Sequence, residues 1–128
     1  MDLKILIRKA LEAREYSYSP YSGFRVGAAL LCVDGIVYAG CNIENRAYGP
    51  TNCAERTAFF KAVSEGHREF TAIAVVGGGK EPEWCYPCGV CRQVMAEFCS
   101  ADEFRIICAK SEDEYQVFTL GELLPRMF

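Results

Sequence analysis

Residues 71–77, TAIAVVG, form a short run with only Thr71 polar at its start. A strand without alternation of apolar and polar residues is buried on both faces. It must therefore lie inside a sheet covered by other elements above and below. Its flanks supply the cover. Leu3, Leu6, Ile7, Ala10 and Leu11 recur at helical spacing, so residues 2 to about 16 are predicted as an amphipathic helix. SYSPYSGF breaks that pattern with Pro20 and Gly23. RVGAALLCV and IVYAGCNI read as two strands joined by Asp34-Gly35, a dipeptide that favours a tight hairpin turn. Helices are predicted from Cys53 to Glu65, ended by Gly66, and from residue 88 to about 99. FRIICA and YQVFTL are two further strands, and GELLPRMF reads as a short helical tail. The order α, β-hairpin, α, β, α, β, β predicts a three-layer α/β/α fold: a mixed five-stranded sheet with helices on both faces. Residues 1–128 read as one domain, with no repeat and no linker.

Both internal helices begin with cysteine. Cys53 stands two residues before Glu55, in TNCAERTAFF, and Arg56 follows. Cys88 and Cys91 follow Pro87 in EWCYPCGVCRQ. If the strands ahead of these helices run the same way, both helix N-termini emerge at one sheet edge, where α/β folds bind ligands. Free N–H groups there favour thiolates. A C-x-x-C pair with a third cysteine is a strong metal signal, and three protein ligands leave zinc a place for water. Three thiolates and one zinc carry a net charge of −1. Glu55 is close enough to the open position to move protons without being a ligand. Arg56 is placed to hydrogen-bond to the sulfurs and draw off some of their charge.

Eight cysteines would suggest disulfides in a secreted mini-protein. The N-terminal stretch mixes charges through its apolar residues and lacks the core of a signal peptide. No stretch approaches a membrane span. The expectation is a soluble, cytoplasmic protein with reduced thiols. Cys32, Cys41, Cys99 and Cys108 sit among apolar neighbours and read as core thiols. Cys85, Cys88 and Cys91 are evenly spaced, like part of an iron–sulfur run, but position 95 is Met95 and the pattern is incomplete. Cys85 reads as a non-ligand near the site. His67, the only histidine, reads as exposed and idle. GGGK at 77–80 lacks the phosphate-loop spacing. A net charge of −3 with no lysine or arginine run counts against a nucleic-acid partner.

Cys53-Ala54-Glu55 and Pro87-Cys88-Gly89-Val90-Cys91 match the zinc deaminase signature. SPYSGFRVGAAL, GCNIENRAY, CAERTA, PCGVCRQ and ELLP together resemble, in the same order, the small homotetrameric cytidine deaminases. The resemblance covers nearly the whole chain. It implies one zinc per chain on Cys53, Cys88 and Cys91, and hydrolysis of cytidine or deoxycytidine at C4 with release of ammonia. It implies that Glu55 shuttles protons, that Phe24 packs on the base, and that the Ala54 N–H meets the base carbonyl. Asn42 and Glu44 would hold the ribose. Tyr48 and Phe128 would reach into neighbouring subunits. Arg46 departs from the small residue of the family pattern, beside the expected inter-subunit sugar contact. Two other classes remain open on the residues alone: a non-catalytic zinc or iron–sulfur module, and a deaminase acting on polynucleotide.

Overall fold

The computed structural model describes residues 1–128. Its elements are α1 (Leu3–Arg14), β1 (Arg25–Cys32), β2 (Val37–Cys41), α2 (Ala54–Ser64), β3 (Phe70–Gly78), α3 (Gly89–Phe98), β4 (Arg105–Ala109), β5 (Tyr115–Thr119) and α4 (Leu120–Leu123). The strands form one sheet in the order β2-β1-β3-β4-β5. β1 is antiparallel to both β2 and β3. β3 is parallel to β4, and β4 is antiparallel to β5. The sheet is therefore mixed, and β2 and β3 point the same way.

Alternation along the central strands divides the core in two. Ala29 and Leu31 of β1, Ala72, Ala74 and Val76 of β3, and Ile107 of β4 face α1, which covers them with Leu6, Ile7 and Ala10. Val26, Ala28, Leu30, Ile73, Val75 and Ile106 face the opposite way, against α2, α3 and α4. From Ala72 to Gly78 β3 is buried at every position, as its apolar run predicts.

Gly40 sets how closely α2 lies on the sheet. A Cβ there would come within 2.6 Å of the Ala58 nitrogen and 2.7 Å of the Ala54 oxygen. Only glycine allows that approach. The hairpin between β1 and β2 closes at Gly35, whose φ of 92° suits glycine, with its N–H donating to the Cys32 carbonyl at 3.0 Å.

The tail differs from its predicted form. α4 starts at Leu120, is held by a capping box between Thr119 and Glu122, and spans four residues. Pro125 then bars its continuation. Two of the four expected core thiols, Cys32 and Cys108, are buried, whereas Cys41 and Cys99 are only half-buried. Cys41 is near the end of β2, a sheet edge, and Cys99 is the C-cap of α3.

Candidate metal centre and substrate pocket

Cys53 and Cys88 are the N-caps of α2 and α3, and neither side chain makes the usual capping hydrogen bond. Because β2 and β3 run parallel, the two helix starts come to the same edge. One helical turn then brings Cys91 onto the face of Cys88. The Cys53 and Cys88 sulfurs are 3.8 Å apart, and those of Cys88 and Cys91 are 3.6 Å apart. All three lie within 4.8 Å of one another. Tetrahedral zinc with Zn–S bonds of ~2.3 Å requires sulfur separations of roughly 3.8 Å. The separations fit a single tetrahedral metal ion, and all eight cysteines are free thiols.

The charges match the geometry. The Cys53 thiol is brought down to about 5, first by hydrogen bonding with Cys91 and then by Arg56. Arg56 Nη2 donates to Cys53 Sγ at 3.2 Å. Cys91 is pushed the other way by its hydrogen bond with Cys53 and by burial. The Cys91 thiol thus donates to the Cys53 sulfur, a proton that a bound cation would replace.

Glu55 is only 4% exposed, yet it lines the cavity beside the cysteines. Burial lifts its carboxyl to about 7, and the charge of Cys53 adds to the rise. The cavity measures about 260 Å³. Phe24, Asn42, Glu44, Ala54 and Cys85 are also on its walls. A larger groove, about 490 Å³, runs between α1, β2 and α2 and is lined by Lys9, Glu12, Tyr16 and Cys41. It contains no cluster of metal-ligating groups, whereas the smaller cavity is lined by Cys53 and Cys88.

Asn42 is largely committed to the fold. Its Oδ1 accepts from the Val26 N–H at 2.9 Å and from Ser17 Oγ, and its Nδ2 donates to the Phe24 carbonyl at 2.8 Å. One N–H remains free. The Glu44 carboxylate accepts from the Tyr21 and Ser22 N–H groups at 3.0 and 3.1 Å and from the Ser22 hydroxyl. Tyr48 and Phe128 are 95% and 108% exposed and do not line the pocket of their own chain.

Two contributors to the site, and one link of the fold away from this pocket, escape notice in the sequence. Arg14, 4% exposed, donates to the carbonyls of Arg25, Gly78 and Gly79 and ties α1 to the strand ends behind Phe24. It falls four residues after Ala10, on the apolar stripe of α1, and that position is the signal. Arg92 donates to Pro87 O at 2.7 Å and Leu123 O at 2.6 Å, fixing the loop before Cys88. His67 is neither exposed nor idle. It is half-buried and joined to Tyr38 and Asp34, each at 3.1 Å.

Three converging cysteine sulfurs and a buried carboxyl of raised pKa beside a cavity define a mononuclear zinc centre with a group suited to acid–base hydrolysis. Comparison with known proteins narrows the class. Residues 2–108 match the model of the cytidine and deoxycytidylate deaminase zinc-binding region. A cytidine deaminase of Halalkalibacterium halodurans is 56% identical over 100% of this chain and 95% of its own. One from Sporosarcina psychrophila is 52% identical over 100% and 92%. The crystal structure of cytidine deaminase from Burkholderia pseudomallei superimposes with a TM-score of 0.91 at 47% identity, covering all of both chains. That from Mycobacterium tuberculosis gives 0.85 at 39%, covering 100% and 98%. The chain belongs to the cytidine and deoxycytidylate deaminase zinc-binding family.

Proposed function

We propose that the protein hydrolyses cytidine and deoxycytidine to uridine and deoxyuridine with release of ammonia. The observation that carries this reading is the meeting of Cys53, Cys88 and Cys91 within 4.8 Å of one another beside a cavity that the buried Glu55 lines together with Cys53 and Cys88. Zinc held by Cys53, Cys88 and Cys91 would supply a water activated for addition at C4. Glu55, with its pKa near neutrality, is suited to moving protons in both directions. Its carboxylate takes one proton from the attacking water and gives it to N3 of the ring, then takes the remaining proton of the hydroxyl added at C4 and gives it to the amine, so that C4=O forms as the C4–N bond breaks and ammonia leaves. It touches no metal in this role. Arg56 offsets the excess negative charge of the thiolates.

Phe24 packs on the base, and the Ala54 N–H, at the first turn of α2, receives the base carbonyl oxygen. The free N–H of Asn42 and the Glu44 carboxylate hold the ribose hydroxyls. The Glu44 carboxylate is already oriented by Tyr21 and Ser22, which lowers the cost of binding. Tyr48 and Phe128 enter the pockets of neighbouring subunits in a homotetramer, and their exposure in the single chain favours that role. Residues 1–128 act as a single catalytic domain. No helix is long and apolar enough to cross a membrane. We read the protein as a cytoplasmic enzyme, and its acidic balance favours free nucleosides over nucleic acid as substrate. Incubation with cytidine, deoxycytidine and their monophosphates, followed by loss of cytosine absorbance, tests the assignment. Turnover of both nucleosides is expected, and turnover of neither would overturn it.

A further inference from the structure

Cys32, Asp34 and His67 form a second group of metal-ligating side chains, at the sheet end formed by the β1–β2 hairpin. Their donor atoms all lie within 4.8 Å of one another. The geometry points to a second zinc-class cation site there, with Cys32 Sγ, Asp34 Oδ2 and His67 Nε2 as ligands. It is distinct from the centre of Cys53, Cys88 and Cys91 and does not depend on the deaminase reading.

The donors are held in place by groups that do not compete for the metal. His67 Nε2 and Asp34 Oδ2 are 3.1 Å apart. Bonds of ~2.0 Å to a tetrahedral ion would set that edge at roughly 3.3 Å. Asp34 Oδ1 accepts from the Ile36 N–H at 3.2 Å, which leaves Oδ2 for a second partner. The other nitrogen of the His67 ring, Nδ1, lies 3.1 Å from the Tyr38 hydroxyl. That hydroxyl is in turn 3.4 Å from Glu65 Oε1. If Tyr38 donates to Glu65, it accepts the Nδ1 proton, and Nε2 presents its lone pair toward a carboxylate oxygen. Without an ion the Nε2 proton closes this edge as a hydrogen bond to Asp34, and a cation takes that proton's place when Nε2 presents its lone pair. A ligating histidine is usually oriented through its other ring nitrogen in this way. The ring also packs edge-on against Tyr38, with centroids 5.2 Å apart.

The backbone adds rigidity. The His67 N–H donates to Ala62 O at 3.0 Å, and the Val33 N–H to Glu69 O at 3.1 Å, so the two loops are tied together. Charge is also balanced. A divalent ion, one thiolate, one carboxylate and a neutral imidazole sum to zero. On binding, the Cys32 thiol loses its proton to solvent and the sulfur takes the ion. Thiolate, imidazole and carboxylate together suit zinc better than magnesium or calcium. Three protein ligands leave one position for water, at the side where Asp34 is exposed.

Equilibrium dialysis of the holoenzyme against micromolar free zinc, with zinc counted by elemental analysis, tests the site. About two zinc ions per chain are expected for the wild type. About one is expected for Cys32→Ser and for His67→Gln, with cytidine turnover unchanged in both. His67→Gln removes a half-buried ligand without opening the core, so it decides the matter should Cys32→Ser fold poorly. Cobalt taken up at this site should show thiolate-to-metal charge-transfer absorption that Cys32→Ser removes. One zinc in the wild type would overturn the site and leave Asp34, His67 and Tyr38 as a hydrogen-bonded chain. So would a second zinc that survives both substitutions.

Discussion

Cys53 caps α2 and Cys88 caps α3, and their sulfurs stand 3.8 Å apart although 35 residues separate them. Serine, threonine, aspartate or asparagine would cap either helix better. Two weak caps at one point are explained by what thiolates do together. They hold a cation, and the free N–H groups behind them stabilise the negative sulfurs.

Serine at Cys53, Cys88 or Cys91 should strip most zinc from the protein. The measurement is zinc per chain after dialysis, counted apart from the hairpin site by carrying His67→Gln in every sample. Serine at Cys85 should leave the count at about one. Cys85 lines the pocket, but burial pushes its thiol up to about 12, which suits a neutral wall residue. Full zinc in Cys91→Ser would remove it from the ligand set.

Arg56→Ala should make zinc binding more sensitive to acid. Arg56 helps to hold the Cys53 thiol near 5, a depressed value, so the thiolate is favoured above that pH and lost as pH falls through it. Without the guanidinium the loss should begin at higher pH. Zinc retention measured from roughly two units below the Cys53 value up to about pH 8 should show the midpoint moving up. Coincident curves for the two proteins would leave Arg56 without the charge-offsetting role.

Metal-free protein should reveal the burial of Glu55 in its stability. Burial lifts the folded carboxyl to about 7, above the 4.5 of an unperturbed glutamate. The stabilisation is complete below the lower value and is lost as pH rises through the upper one. A shift of this size corresponds to about 3 kcal/mol. Glu55→Gln cannot ionise. The difference in unfolding free energy between the two proteins, by denaturant titration, should widen in favour of the variant by about that amount over the interval. A constant difference would mean that Glu55 is not buried in this way.

Deleting Phe128 should raise KM for cytidine while zinc content stays full. Subunits carrying Glu55→Gln, mixed with subunits lacking Phe128, should regain some sites with both groups intact. Sedimentation as a fully active monomer would rule out a pocket shared between subunits.

Much of this was legible along the chain because the informative residues speak for themselves. The apolar run at 71–77 marks a doubly covered strand, and Cys-x-Glu with Pro-Cys-x-x-Cys marks the centre. The contributions that stay hidden are polar groups whose partners lie far along the chain. Arg14 continues the apolar stripe of α1, but its burial depends on carbonyls 64 and 65 residues away. The link between His67 and Tyr38 spans 29 residues, and composition near His67 says nothing of it. Asn42 is visible as a polar residue after a strand, whereas its bonds to Val26 and Phe24 arise only once β1 and β2 pair. The tail helix is short because Pro125 outweighs the helical preference of its neighbours.

The central claim is that Glu55 performs the proton transfers beside a zinc that it does not bind. Ammonia release from cytidine by Glu55→Gln, at zinc content matched to the wild type, tests it most directly. General acid–base groups contribute ~10²–10⁴-fold, and a group serving several transfers contributes at least that much. The account predicts full zinc, an intact fold and a kcat lowered by at least ~10²-fold. Near-normal kcat with zinc in place would contradict it.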